Sequence, residues 1–235
     1  NCWRKKGHGS VDLFNAIIQS CDIYFYEIAR KTGIDQISTM ARRLGLGQML
    51  NIELPGEKRG LIPTRAWKKS TKGSSWQQGE TLLAVIGQGF ILTTPLQLAV
   101  MTSRLVNGGR LVLPSMTRHV VPFAARPPET DPKSTFGNIG IHATHLEIIN
   151  KAMAAVSNSP LGTAYKARIK EPGFSMGGKT GTVQVRRISG LERETGVLKN
   201  QDLSWIERDH AIFVGYAPVK SPKYALSVIV EHGGS

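Results

Sequence analysis

The sequence predicts an α+β fold, an α/β sandwich in which helices flank an antiparallel sheet. Two observations lead to this fold class. Apolar residues recur at helical spacing through the first two thirds of the chain, whereas segments rich in β-branched residues are confined to the last third. The chain has 235 residues, of which 40% are hydrophobic and 20% charged, so it can bury the core of one large domain or two small ones.

The helices are predicted from apolar periodicity and from residues that favour helix ends. Thr94 followed by Pro95 is a typical helix start, and Thr144 with Glu147 forms the pattern of a capping box. The predicted helices cover residues 11–19, 23–30, 35–45, 95–106 and 144–156.

Glycine, proline and polar residues mark the connections between these helices. Residues 55–63 and the Lys/Ser-rich run 67–79 are predicted as loops, and the proline-rich run 122–135 as a surface linker or long loop. A polar insertion covers residues 189–208.

Three strands are predicted near the end of the chain. They cover residues 178–186, 210–217 and 224–231, and a turn at Pro218–Pro222 joins the last two as a hairpin. The middle strand is also expected to pair with the first, which contains Lys179.

The charge of the chain suggests contact with a polyanion. The formal net charge is +13 and the pI is about 10.0, which favours an anionic membrane surface or an acidic polymer, with an ordinary solvated surface as the alternative. No nucleic-acid-binding module is recognisable, so nucleic acid is not expected as a partner. No apolar run approaches the ~20 residues of a membrane span.

The strand that begins at Gly178 carries the first candidate site. Lys179 lies between glycines, where backbone or ligand can approach closely, and its ammonium group can attract a carboxylate. Thr180 and Thr182 place hydroxyls on either side of Gly181. The alternative is a turn–strand junction with a solvated lysine.

The second candidate site is the turn between the first two helices. Ser20 and Asp22 place a hydroxyl and a carboxylate two residues apart. Both residue types are also common helix caps, so capping is the alternative to catalysis. A serine turn followed about 160 residues later by Lys-Thr-Gly corresponds to two parts of a three-part pattern, S-x-x-K, S-D-N and K-T-G.

Nine short segments, in this order, make the whole chain resemble one family. They are Gly7-His8-Gly9; Ser20-Cys21-Asp22 with Tyr24-Phe25-Tyr26; Gly33-Ile34-Asp35; Gly87-Gln88-Gly89-Phe90; Thr94-Pro95-Leu96-Gln97; Gly162-Thr163-Ala164; Gly178-Lys179-Thr180-Gly181-Thr182; Arg208-Asp209-His210; and Glu231-His232-Gly233-Gly234. The resemblance is to the transpeptidase domain of class B penicillin-binding proteins, in particular the elongation-specific penicillin-binding protein 2 subfamily. It implies the fold shared by penicillin-binding proteins and serine β-lactamases.

One part of the pattern is missing from the sequence. No S-x-x-K occurs, and Ser70-Thr71-Lys72 and Ser221-Pro222-Lys223 have the wrong spacing. The resemblance implies that the nucleophilic serine lies upstream of Asn1. We therefore expect residues 1–235 to be a partial transpeptidase domain, truncated at both ends, without the S-x-x-K segment and the C-terminal helix.

The resemblance implies a peptidoglycan D,D-transpeptidase that cross-links stem peptides during cell elongation and is acylated by β-lactams. Ser20 would relay a proton, with Asp22 in its hydrogen-bond network and Lys179 tuning that network. Thr180, Gly181 and Thr182 would bind the substrate, the two threonines contacting its terminal carboxylate. We expect this chain alone to be inactive. A β-lactamase, a β-lactam sensor and a non-catalytic structural fragment are the alternatives.

Cys2, His8 and Cys21 form a third candidate site. Three interpretations of this group are open: free thiols, a Cys2–Cys21 disulfide, or a zinc site. Some relatives of the resembled subfamily carry zinc beside the serine turn, which implies a structural zinc with a fourth ligand upstream. Catalysis is expected to need no cofactor.

The resemblance also implies partners and a location. The expected partners are peptidoglycan stem peptides, β-lactams, a membrane-embedded glycan polymerase and other proteins of the elongation complex. The expected location is the periplasmic face of the bacterial inner membrane, with a membrane anchor outside these residues.

Overall fold

The computed structural model describes residues 2–4, 6–52, 55–116, 137–186, 192 and 198–234. The helices in these ranges are α1 (Leu13–Ile18), α2 (Asp22–Thr32), α3 (Ile34–Arg43), α4 (Arg65–Lys72), α5 (Gln78–Val85), α6 (Pro95–Val106) and α7 (Ala143–Asn158). The strands are β1 (Gly177–Val183), β2 (His210–Ala217) and β3 (Tyr224–Val230). None of the described helices is long and apolar enough to cross a membrane.

The sheet confirms the predicted α+β class and the predicted strand pairing. Its order is β1-β2-β3, and both pairs are antiparallel. In this register Lys179 lies opposite Val214, which in turn lies opposite Ser227. The middle strand β2 therefore fixes the position of the lysine strand β1.

Helices α6 and α7 pack against the sheet and form the core with it. Leu105 of α6, Leu146 and Met153 of α7, and Tyr216 of β2 make one buried apolar cluster. The Tyr216 hydroxyl donates to the backbone carbonyl of Asn150, 3.1 Å away, so the sheet and α7 are also joined by a hydrogen bond.

The predicted loop at residues 67–79 is wrong, because α4 covers its first part and α5 begins at Gln78. The Thr64 side chain caps α4 by accepting from the Trp67 backbone, 3.0 Å away. Lys68 is buried and bonds the Glu80 carboxylate at 2.5 Å and 2.6 Å. A polar residue that finds a buried partner in the next helix cannot be distinguished by composition from a loop residue.

Two predicted helix starts also differ from the structure. Helix α7 is capped by His142, and Thr144 lies within its first turn. Helix α2 has Cys21 at its N-cap position, with Asp22 as the first helical residue, so Asp22 is not the cap. The predicted linker 122–135 lies outside the described residues, as does most of the first half of the insertion 189–208.

Candidate active site

The turn between α1 and α2 holds Ser20 in an unusual backbone conformation. Its φ angle is 52°, in the left-handed region that non-glycine residues seldom adopt. The Trp3 indole N–H donates to the Ser20 carbonyl at 2.9 Å, and the Trp3 backbone N–H donates to Asp22 Oδ2 at 3.3 Å. Trp3 thus supports the turn from both sides.

The glycines of β1 are required by the sheet itself. A Cβ atom on Gly178 would lie 2.3 Å from the Val214 carbonyl oxygen, and one on Gly181 would lie 2.6 Å from Ile212 Cγ2. The sequence suggested that these glycines let a ligand approach. The structure shows that Gly178 lets β2 approach.

Lys179 of β1 reaches the Ser20 turn. Its Nζ donates to Ser20 Oγ and to the Thr180 carbonyl, the latter at 2.8 Å. Burial lowers the pKa of Lys179 to about 8, although the nearby Asp22 carboxylate acts in the opposite direction. The two motifs predicted to cooperate are therefore in direct contact across 159 positions of sequence.

The predicted substrate-binding residues follow Lys179 along β1. Gly181 and Thr182 are exposed, while Thr180 is half-buried. The Thr180 hydroxyl lies 2.7 Å from the hydroxyl of Thr163, which follows α7. The strand can thus present hydroxyl groups to a ligand.

The sequence predicts no functional role for Trp3 or Thr163. Thr163 belongs to one of the segments that carry the resemblance, but no pattern in the sequence connects it with Thr180. Trp3 stands beside Cys2, and nothing in its spacing indicates that its indole binds the Ser20 carbonyl. Both contacts appear only when distant segments are brought together.

Cys2, His8 and Cys21 lie together beside the serine turn. Their ligand atoms are all within 4.8 Å of one another, and both cysteines are free thiols rather than the alternative disulfide. His8 Nδ1 lies 3.3 Å from Cys2 Sγ, and His8 Nε2 is buried without a hydrogen-bond partner among the residues that the structure describes. Two thiols and an imidazole this close together fit a zinc ion with one further coordination position.

A comparison with protein families identifies the fold family. The family model described as the penicillin-binding protein transpeptidase domain matches residues 1–235, the whole chain. The chain belongs to this family. The sequence-based resemblance to the transpeptidase domain is thereby confirmed.

Curated relatives of this transpeptidase domain are named peptidoglycan D,D-transpeptidase MrdA. The protein of Acinetobacter baumannii is 38% identical over 239 residues, covering 99% of this chain and 34% of that protein. The protein of Escherichia coli is 31% identical, covering 99% of this chain and 36% of that protein. The chain thus spans about a third of the length of these relatives.

Solved structures of transpeptidase-domain proteins have the same fold. Pseudomonas aeruginosa PBP2 in complex with WCK 5153 is 35% identical with a TM-score of 0.81, covering 100% of this chain and 48% of that one. The PBP2 chain from the complex of PBP2 and MreC of Helicobacter pylori is 29% identical with a TM-score of 0.81, covering 99% of this chain and 38% of that one.

Proposed function

We propose that these residues form part of the catalytic domain of a serine-type peptidoglycan D,D-transpeptidase that acts in cell elongation. The contact between Lys179 and Ser20 carries the proposal, because it joins the two motifs that this chemistry requires. The MrdA names of the curated relatives support it.

In the proposed reaction, the nucleophile is a serine that lies outside this sequence, since the sequence has no S-x-x-K. Its Oγ attacks the carbonyl carbon between the two D-alanines of a stem peptide, and the amide C–N bond breaks. Ser20 relays the proton that the nucleophilic hydroxyl gives up to the leaving amine. An amine of a second stem peptide then attacks the acyl carbon, the ester C–O bond to the serine breaks, and a proton from that amine returns to the serine oxygen.

The residues of β1 have binding roles in this proposal. The protonated Lys179 keeps Ser20 oriented and attracts the substrate carboxylate, to which Thr180 and Thr182 donate. The N–H of Thr182 supplies half of the oxyanion hole, and the exposed backbone of Gly181 lies beside the substrate. Asp22 contributes negative charge beside Lys179.

Cys2, His8 and Cys21 would hold a zinc ion with a structural role. Bound zinc would join the N-terminal segment to the serine turn, and catalysis would not pass through it. The close spacing of the three ligand atoms, all within 4.8 Å of one another, supports this assignment.

The location and partners belong to the same proposal. We place the domain at the periplasmic face of the inner membrane, where it would meet stem peptides, β-lactams and a membrane-embedded glycan polymerase. The H. pylori PBP2–MreC complex, a structural relative, supports partners from the elongation complex.

Intact-mass spectrometry after incubation with a reactive β-lactam tests the function. We expect a stable, stoichiometric adduct on the full-length protein and none on the 235-residue chain. An adduct on the shorter chain would show that one of its own serines is the nucleophile. Rapid release of hydrolysed β-lactam from the full-length protein would instead indicate a β-lactamase.

A further inference from the structure

We propose that Thr163 is a positioning residue that orients the Thr180 hydroxyl toward the carboxylate of the ligand. The inference rests on the proposed function, because the ligand is a stem peptide or β-lactam with a carboxylate. It adds a residue from the segment after α7 to a site so far assigned to the serine turn and β1.

The hydroxyl groups of Thr163 and Thr180 lie side by side. Thr163 Oγ1 and Thr180 Oγ1 are 2.7 Å apart, and Thr163 is exposed while Thr180 is half-buried. Each hydroxyl has a single proton to donate. If the Thr163 hydroxyl donates to Thr180, the Thr180 proton is free to point toward the ligand. A ligand carboxylate favours this arrangement because it can only accept hydrogen bonds. Linked hydrogen bonds of this kind also strengthen each other.

Hydrogen bonds and close packing hold the backbone that carries Thr163. The Asn158 side chain donates to the Met176 carbonyl at 2.8 Å, just before β1, and the Ala164 N–H donates to the Val156 carbonyl at 3.0 Å. A Cβ atom on Gly162 would lie 2.1 Å from that same carbonyl oxygen. The turn between α7 and Thr163 is therefore closely packed and held in one conformation.

Thr163 also contacts both parts of the site. Its backbone N–H donates to the Ile18 carbonyl at 3.3 Å, two residues before Ser20. Its side chain contacts Thr180, the neighbour of Lys179. Thr163 is thus the described residue that hydrogen-bonds both the end of α1 and the side chain of Thr180.

The test compares Thr163→Val, which removes the hydroxyl at nearly constant shape and keeps the backbone bond, with Thr163→Ser, which keeps the hydroxyl. Both are made in the full-length protein, with Thr180→Val and the double variant Thr163→Val/Thr180→Val. Thr71→Val, at an exposed position of α4, is the matched control. The readouts are the second-order rate constant of acylation by a carboxylate-bearing β-lactam and the melting temperature.

We expect Thr163→Val to slow acylation about tenfold, because the substitution removes the one hydrogen bond that orients the Thr180 hydroxyl toward the ligand, with an unchanged melting temperature. Thr163→Ser and Thr71→Val should react like the wild type, and the double variant should be no slower than Thr180→Val. An unchanged rate in Thr163→Val, or fully additive effects in the double variant, would overturn the inference alone. A wild-type protein that is not acylated would overturn the proposed function and the inference with it.

Discussion

Within the proposed site, Lys179 is a cation whose pKa lies close to neutral pH. Its pKa of about 8 means that the cation is lost as pH rises through 8, and with it the attraction for a carboxylate ligand. We expect the rate constant for acylation of the full-length protein by a carboxylate-bearing β-lactam to fall above about pH 8. The slope should approach tenfold per pH unit.

Lys179→Arg provides the control for this pH dependence. Arginine remains charged throughout the accessible pH range, so its rate, even if lower, should show no decline near pH 8. A wild-type profile that stays flat to pH 10 or rises through 8 would contradict the assigned role of the cation.

At the residue scale, the sequence predicted Ser20, Asp22 and Lys179 as candidates because their types and spacing match a chemical pattern. The left-handed conformation of Ser20 and its support by Trp3 were not predictable. A positive φ at a non-glycine residue depends on contacts from elsewhere in the fold, and Trp3 provides one of them from 17 positions away.

The connection between α4 and α5 is an ion pair that is largely removed from water. The side chains of Lys68 and Glu80 are 8% and 22% exposed, and Lys68 Nζ also donates to the Ser75 carbonyl at 2.9 Å. Burial raises the pKa of Glu80, but hydrogen bonds from Lys68 and the Gln77 backbone outweigh it and hold the pKa below its usual range. Glu80 therefore stays ionised beside Lys68.

Lys68→Met should destabilise the protein by about 3 kcal/mol, because it leaves the Glu80 charge without its partner. Chemical denaturation measures this loss. The matched control is Lys69→Met on the same helix, where the lysine is exposed and the change should stay within about 0.5 kcal/mol. Equal effects of the two substitutions would show that the pair contributes nothing specific.

The segment from Cys2 to His8 would be held to the serine turn by metal. We expect about one zinc per molecule in elemental analysis of the reduced full-length protein, since two thiolates and an imidazole suit this ion. Cys2→Ser should lose most of the zinc. Cys21→Ala should do the same, because both thiols belong to one cluster. Absence of zinc from the reduced wild type would remove the proposed site.

At the element scale, strand pairing and most helices were predictable because their patterns are local. Helix α4 was missed because its lysines and serine suggested a loop. The burial of Lys68 depends on its contact with Glu80, which lies 12 residues further along the chain. The start of α7 was misplaced because the side chain of His142 caps the helix in place of Thr144. Both differences come from interactions that composition does not reveal.

At the scale of the whole molecule, β3 presents an apolar surface. Tyr224, Leu226, Val228 and Val230 alternate along the strand and are 42–70% exposed, and β3 ends the sheet in the described part of the chain. Apolar surface at a sheet edge favours association with other molecules.

We expect the 235-residue chain, produced alone, to self-associate at micromolar concentration, as measured by sedimentation velocity. The double substitution Leu226→Lys/Val228→Lys should reduce the association, because it places charge on the apolar surface. Leu113→Lys changes an exposed leucine, 67% accessible, that lies outside the sheet and should have no effect. A wild-type chain that remains monomeric would contradict the interpretation of β3 as an association surface.

The contact between Ser20 and Lys179 also has a consequence for folding kinetics. The two residues are 159 positions apart, and closing so long a loop costs conformational entropy that only many other native contacts can offset. The contact should therefore form late, after the sheet and α7 have assembled. If β-lactam acylation depends on this contact, a β-lactam will label only molecules that have completed folding. During refolding, the labelled fraction then reports the native population directly.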